Sequence, residues 1–253
     1  MEIFRTNQNG GVIRLVAVAT DGDGDSASAN LDLGGLLVFR DDGPSISADE
    51  PEAGQGMVLL TGDAVDSDTA DFSGAFNFTS VQGADTATLG VISYTLAITA
   101  LADEETGLVD SGLQTSADDL PIYLYEIAGA VVGSTATELA DVDAGNSVFT
   151  LSVDGDGVVT LNQYQAIEHV ANGDDGPEDV SVDGNFADDL ESLAAGLVSL
   201  SAAQTITDAD GDTASASTSL DLGGRISFSD VGPSISADEP EASQGMVLLT
   251  GDA

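Results

Sequence analysis

The sequence predicts an all-β protein, an antiparallel β-sandwich with one or two short helices, and three observations predict it. Short apolar runs recur along the chain, bounded by Gly, Asp, Ser and Asn. Two of these runs are joined by Asp154-Gly155-Asp156-Gly157, residues suited to a tight reversal between strands. A 34-residue segment occurs twice, 28 of its positions identical, at residues 31–64 and 220–253.

Taken in order, the expected strands cover residues 12–19, 35–39, 57–60, 75–78, 91–100, 121–126, 147–153 and 158–161. Two stretches have helical spacing instead. Residues 162–170 (NQYQAIEHV) follow a plausible Asn cap. Residues 187–200 begin with acids and carry Leu190, Leu193, Leu197 and Leu200. Many short strands with regular turns point to a sandwich of the immunoglobulin-like kind, enlarged by insertions or divided into subdomains.

The repeat sets the domain organisation. Just upstream of each copy, TDGDGDSASAN (20–30) matches TDADGDTASASTS (207–219), and the stretch between has no counterpart elsewhere in the chain. Nearly identical segments flanking a unique one are what a cut from a tandem array contains. The expected division is residues 1–43 as the C-terminal part of one repeat, 44–232 as a complete module, and 233–253 as the start of the next. The seams are placed at Gly43-Pro44 and Gly232-Pro233.

Charge narrows the function. The 253 residues include 45 Asp and Glu against 4 Arg and no Lys, a formal charge of −41. Four cations cannot neutralise a phosphate backbone, which excludes nucleic acid as an ordinary partner. An anionic membrane surface would repel the chain, and no apolar run is long enough to insert. Yet 42% of residues are hydrophobic, mean hydropathy is +0.11 and only 19% are charged, so the chain can bury a core. The imbalance comes from missing cations. With no Cys and one His, thiolate and multi-histidine metal sites are excluded.

Carboxylates alternate in several turns. Asp21, Asp23 and Asp25 stand in DGDGD, and Asp208, Asp210 and Asp212 in DADGD; Asp154 and Asp156 form a weaker version, as do Asp66/Asp68, Asp141/Asp143 and Asp183/Asn185. Such loops suit a hard cation taking six to eight oxygen ligands, so Ca²⁺ is the expected cofactor, with Mg²⁺ second. They are not EF-hands: the twelfth residue from Asp21 is Asp32 and from Asp208 is Ser219, where a bidentate Glu would be required. A reversal of the chain alone would also explain the isolated pairs. Acids at Asp41, Asp42, Asp49, Glu50 and Glu52 lie across the first seam as possible further ligands.

Catalysis is not expected. His169 is the one imidazole and stands in the expected helix as a packing or surface residue, without GxSxG or a phosphate-binding glycine motif nearby. A carbohydrate groove would show more aromatics than 5% with no Trp.

Three blocks, PIYLYEIAGAVVGSTA (121–136), VFTLSVDGDGVVTLNQYQAIEHV (148–170) and TDADGDTASASTSLDLGG (207–224), together resemble a repeat domain of large bacterial RTX-type surface adhesins. The resemblance covers most of the complete module. It implies a Ca²⁺-dependent β-sandwich extender, exported by type I secretion to the bacterial cell surface, that holds a ligand-binding tip away from the envelope in attachment and biofilm formation. It further implies ligand roles for Asp21, Asp23, Asp25, Asp208, Asp210 and Asp212. Neighbouring repeats of the same chain would be the partners of an otherwise monomeric, extracellular protein. The glycine-rich nonapeptide GGxGxDxUx of that family is absent, so no calcium β-roll is expected. The alternative is a glycan- or peptide-binding module of the same kind of adhesin.

Overall fold

A computed structural model describes residues 14–33, 42–62, 66–169 and 190–230. The chain is all-β, built from antiparallel sheets arranged as a sandwich, and among the described residues the only helical elements are 3₁₀ turns at Ser73–Ala75 and Leu139–Asp141. Two compact units share it. One takes the described residues of Met1–Glu52, Gly74–Tyr94 and Ser201–Ser219, the other those of Ala53–Ser73, Thr95–Leu200 and Leu220–Ala253.

The second unit holds the larger core. Its main sheet has six strands in the order β5 (Asp66–Asp71), β13 (Val158–Gln163), β12 (Ser147–Val153), β11 (Ala130–Ser134), β10 (Pro121–Ile127) and β9 (Val109–Gln114), all antiparallel. Alternation makes β13 a strand: Val159, Leu161 and Gln163 point inward, each fully buried, while the residues between are partly exposed. The β10–β11 reversal uses Ala128 and Gly129, both at positive φ (51° and 83°), the backbone a two-residue hairpin needs.

A second sheet, β14 (Leu190–Ser192), β17 (Ile226–Ser229) and β4 (Leu59–Gly62), supplies the other inner face. Phe149 of β12 meets Phe228 of β17 with ring centroids 5.3 Å apart, and both rings are fully buried. Beside them, Gly133 is opposite Phe149 in the β11–β12 register, and a Cβ there would run into the Phe149 ring. The missing side chain is what lets the ring lie against the sheet. Burying one such ring contributes about 2–3 kcal/mol. The β17–β4 pair is parallel, a departure from an otherwise antiparallel pattern, sealed by the Leu59 N–H donating to the Arg225 carbonyl at 2.7 Å.

The first unit contains most of β16 (Thr213–Asp221) and β15 (Val198–Asp208) and all of β7 (Ala87–Leu89); β8 (Ser93–Ile98), also on β15, begins there and lies mostly in the second unit, into which the ends of β15 and β16 also continue. It also holds the pair β3 (Ser45–Ala48) and β6 (Phe78–Val81), and the hairpin β1 (Arg14–Thr20) and β2 (Ser26–Asp32). Phe76 packs edge-to-face on Tyr94 at 5.9 Å.

Both expected helices are corrected. Asn162 and Gln163 finish strand β13, and Ile167 makes an isolated antiparallel bridge to Thr115. The period of two that begins at Val158 therefore outlasts the apparent Asn cap. Leu190–Ser192 is strand β14, and β15 begins at Val198. Between them Gly196 has φ +81°, which a helix cannot contain. Of the expected strand 75–78 only Phe78 is extended, as the first residue of β6; Ala75 ends the 3₁₀ turn. Residues 35–39, 170 and 187–189 lie outside the described residues.

Candidate metal centre

Three hairpin tips share one backbone design. At 21–25 the Asp21 N–H donates to the Asp25 carbonyl (3.0 Å) and the Gly24 N–H to the Asp21 carbonyl (3.3 Å). At 154–158 the corresponding bonds run from Asp154 N–H to Val158 O (3.1 Å) and from Gly157 N–H to Asp154 O (3.3 Å). At 208–212 Asp208 N–H donates to Asp212 O at 3.0 Å. In each, the fourth residue is a glycine at positive φ, +99°, +85° and +103° in turn, the left-handed residue that closes a three-residue hairpin loop. The second position is Gly22, Gly155 or Ala209, and only the fourth demands glycine.

The first Asp of each tip serves the turn. Asp21 Oδ1 accepts from Asp25 N–H (3.0 Å). Asp154 Oδ1 accepts from Asp156 and Val158 N–H (3.0 and 2.9 Å). Asp208 Oδ1 accepts from Gly211 and Asp212 N–H (3.1 and 2.7 Å). Local satisfaction of backbone donors by a short acidic side chain explains this position with no ion involved.

The third residue is an Asp in all three tips, and the fifth is what differs. Asp21, Asp23 and Asp25 each offer a carboxylate oxygen within 4.8 Å of the others, and so do Asp208, Asp210 and Asp212; among the described residues no other group of three acids does. At the middle tip the fifth residue is Val158, and Asp154 and Asp156 gain no third acid. Calcium–oxygen bonds of about 2.3–2.6 Å let two ligands of one ion stand up to about 5 Å apart, so both triads fit a single Ca²⁺. The donor set is all oxygen and all anionic, which suits a hard cation. Asp21 and Asp208 titrate below the ordinary Asp value, first because each shares a hydrogen bond with the next acid, Asp23 or Asp210, and then through backbone N–H groups, with desolvation opposing.

The two triads differ in setting. Asp208 ends β15 and is 7% exposed, whereas Asp21, Asp23 and Asp25 are all exposed. A further group approaches the second triad: a methyl added to Gly43 would lie 3.7 Å from Asp212 Oδ2. Asp42 and Gly43 are held there by Gly83, where a Cβ would collide with the Asp42 carbonyl, and by the Ala84 N–H donating to that carbonyl at 3.3 Å. The expected seam at Gly43-Pro44 thus lies beside a triad far along the chain, a pairing that no local motif signals.

The remaining acidic pairs serve the backbone. Asp68 Oδ2 accepts from Leu60 N–H (2.9 Å) and Asp66 Oδ2 from Gly62 N–H (3.2 Å). Asp143 Oδ1 caps Gly145 and Asn146. Asp183 and Asn185 lie outside the described residues. His169 is in no helix; its Nε2 is 3.1 Å from the Phe228 carbonyl oxygen.

No curated protein and no solved structure matches the chain. One family model does, over residues 45–223, more than half of the length, and it is described as a domain of unknown function. The chain therefore belongs to the DUF5801 family.

Proposed function

We propose that this chain is a calcium-binding structural module, an extender repeat of a large extracellular bacterial adhesin, whose role is mechanical and not catalytic. One observation carries the reading: in two hairpin tips, and not in the third of the same backbone, the fifth residue is an Asp that brings three carboxylates within 4.8 Å. The turn does not need that residue, as Val158 demonstrates. Three adjacent anions repel one another, and a divalent cation relieves the repulsion.

Asp208, Asp210 and Asp212 would hold one ion and Asp21, Asp23 and Asp25 another. The Gly43 backbone stands beside the first of these, so an ion there would tie the end of β15 to the start of the module and stiffen the chain between neighbouring repeats. The resemblance to adhesin repeats supports the wider setting: export by type I secretion, display at the cell surface, and a tip carried elsewhere in the parent protein for attachment and biofilm formation. With −41 formal charges, two bound ions leave the module strongly anionic, which keeps neighbouring arrays apart.

The test is thermal unfolding of the full chain in calcium and in chelator, with bound ions counted by native mass spectrometry. Sites of the extracellular class bind at about 10⁻⁴–10⁻³ M, so the melting temperature should rise across that range. Equal melting temperatures with and without calcium overturn the reading.

A further inference from the structure

Strand direction sets β4 and β17 apart within the second unit. The six-stranded sheet there is antiparallel throughout, and β14 runs antiparallel to β17. β17 and β4 are parallel, with Ile226 opposite Leu59 and Ser229 opposite Gly62. Among the described residues β4 is the first strand of that unit along the chain and β17 the last. Tension between a point ahead of β4 and a point beyond β17 therefore pulls the two strands in opposite directions along their own axes. Every bond between them is loaded at once, in shear. In an antiparallel hairpin such as β12–β13, tension at the open ends parts the strands one bond at a time.

The bonds of the pair are sheltered and its outer edges are held. The Leu59 N–H donates to the Arg225 carbonyl at 2.7 Å, and alternation along the ladder turns the Thr61 N–H to β17 as well. Ser229 Oγ donates to the Thr61 carbonyl at 3.2 Å. Leu59, Thr61, Ile226 and Phe228 are each at most 1% exposed, so water has little access to compete for these bonds. On the far edge of β4, Leu60 and Gly62 N–H donate to the Asp68 and Asp66 carboxylates of β5 at 2.9 and 3.2 Å. On the far edge of β17, the Ile226 carbonyl accepts from Leu193 N–H at 3.1 Å. Arg225 Nη1 reaches the Met57 and Gly54 carbonyls at 3.4 and 3.5 Å, tying down the segment that leads into β4.

We propose that the β4–β17 pair is a mechanical clamp, the contact that must shear before tension along the chain can unfold the second unit. Its usefulness rests on the mechanical role proposed above, whereas the clamp itself rests on strand direction. Melting with and without calcium tests the first and pulling direction tests the second, so either can fail alone.

The full chain has no Cys, so paired cysteines choose the points at which an optical trap pulls. Gln55→Cys with Asp230→Cys loads β4 and β17 in shear. Gln55→Cys with Ala194→Cys pulls across one end of the sheet, because β14 is antiparallel to β17 and finishes beside the start of that strand. At equal loading rate the first pair should rupture at about twice the force of the second or more, since forced rupture follows the height of the unfolding barrier and shear breaks the bonds together. Equal forces overturn the proposal, and this comparison uses exposed or half-exposed attachment points only. Thr61→Pro, which removes one ladder N–H, should bring the two forces together; a shear force that it leaves unchanged also overturns the proposal.

Discussion

The tips at 208–212 and 154–158 have the same ladder closure, the same capping Asp and the same left-handed glycine, and they part at the fifth residue, Asp212 against Val158. The difference separates two demands that are superimposed in the motif. Reversing the chain requires an acceptor at the first position and a glycine at the fourth. Gathering three carboxylates requires acids at the third and fifth, which add nothing to the turn.

The largest effect that would sharpen this contrast is on calcium stabilisation. An ion bound only to the folded state at a hundredfold excess over its dissociation constant contributes about 2.7 kcal/mol. Asp210→Asn with Asp212→Asn should remove at least half of the calcium-induced rise in melting temperature, and Asp156→Asn none of it. Equal losses in the two variants would break the distinction between the tips.

The glycines come next. Gly211→Ala and Gly157→Ala should each cost about 1–2 kcal/mol in denaturant melts, because an alanine is forced into the left-handed region. No atom lies within 4 Å of a Cβ at Gly211, so there the whole cost is backbone conformation. The penalties should match in chelator; a penalty at Gly211 that appears only with calcium would tie the glycine to the ion instead of the turn.

A smaller effect tests sufficiency. Val158→Asp recreates the DGDGD pattern in the third tip, and native mass spectrometry in calcium should count one more ion than in the parent chain. An unchanged count would mean that the pattern requires the surroundings of Asp212 as well.

The smallest effect concerns pH. The Asp208 carboxyl titrates below its ordinary value of 3.8 through its bond with Asp210 and the N–H groups of Asp212 and Gly211. A depressed folded value means that the stabilisation is present above the unfolded value and is lost as pH falls through the folded one. In chelator, the melting temperature should therefore fall below about pH 4 less steeply in Asp208→Ala than in the parent chain. Parallel acid profiles would remove Asp208 from the balance.

Much of the fold was legible because strands and turns are local. Val159, Leu161 and Gln163 alternate in the chain as they alternate in the sheet, and Asp154-Gly-Asp-Gly marks its own reversal. The two expected helices failed where spacing is ambiguous. Leu193 and Leu200 are both buried, but from a loop and a strand on either side of Gly196. That glycine was the available signal against a helix. The parallel β17–β4 pair had no signal at all, since it joins Leu59 to Ile226 across most of the chain.

The three tips, the two acidic triads and the apolar alternation of the strands could be read directly from residue order, because each depends on bonds and periods spanning a few residues. Long-range packing is needed to set Gly43 beside Asp212, to lay Phe149 over Gly133 against Phe228, and to bury Asp208 while Asp21 stays exposed. The two tips match from Thr20 and from Thr207 onward, and among the described residues β7 and β8 lie along β15 while β1 has β2 alone; a chain must travel about a hundred residues to bring those strands to β15.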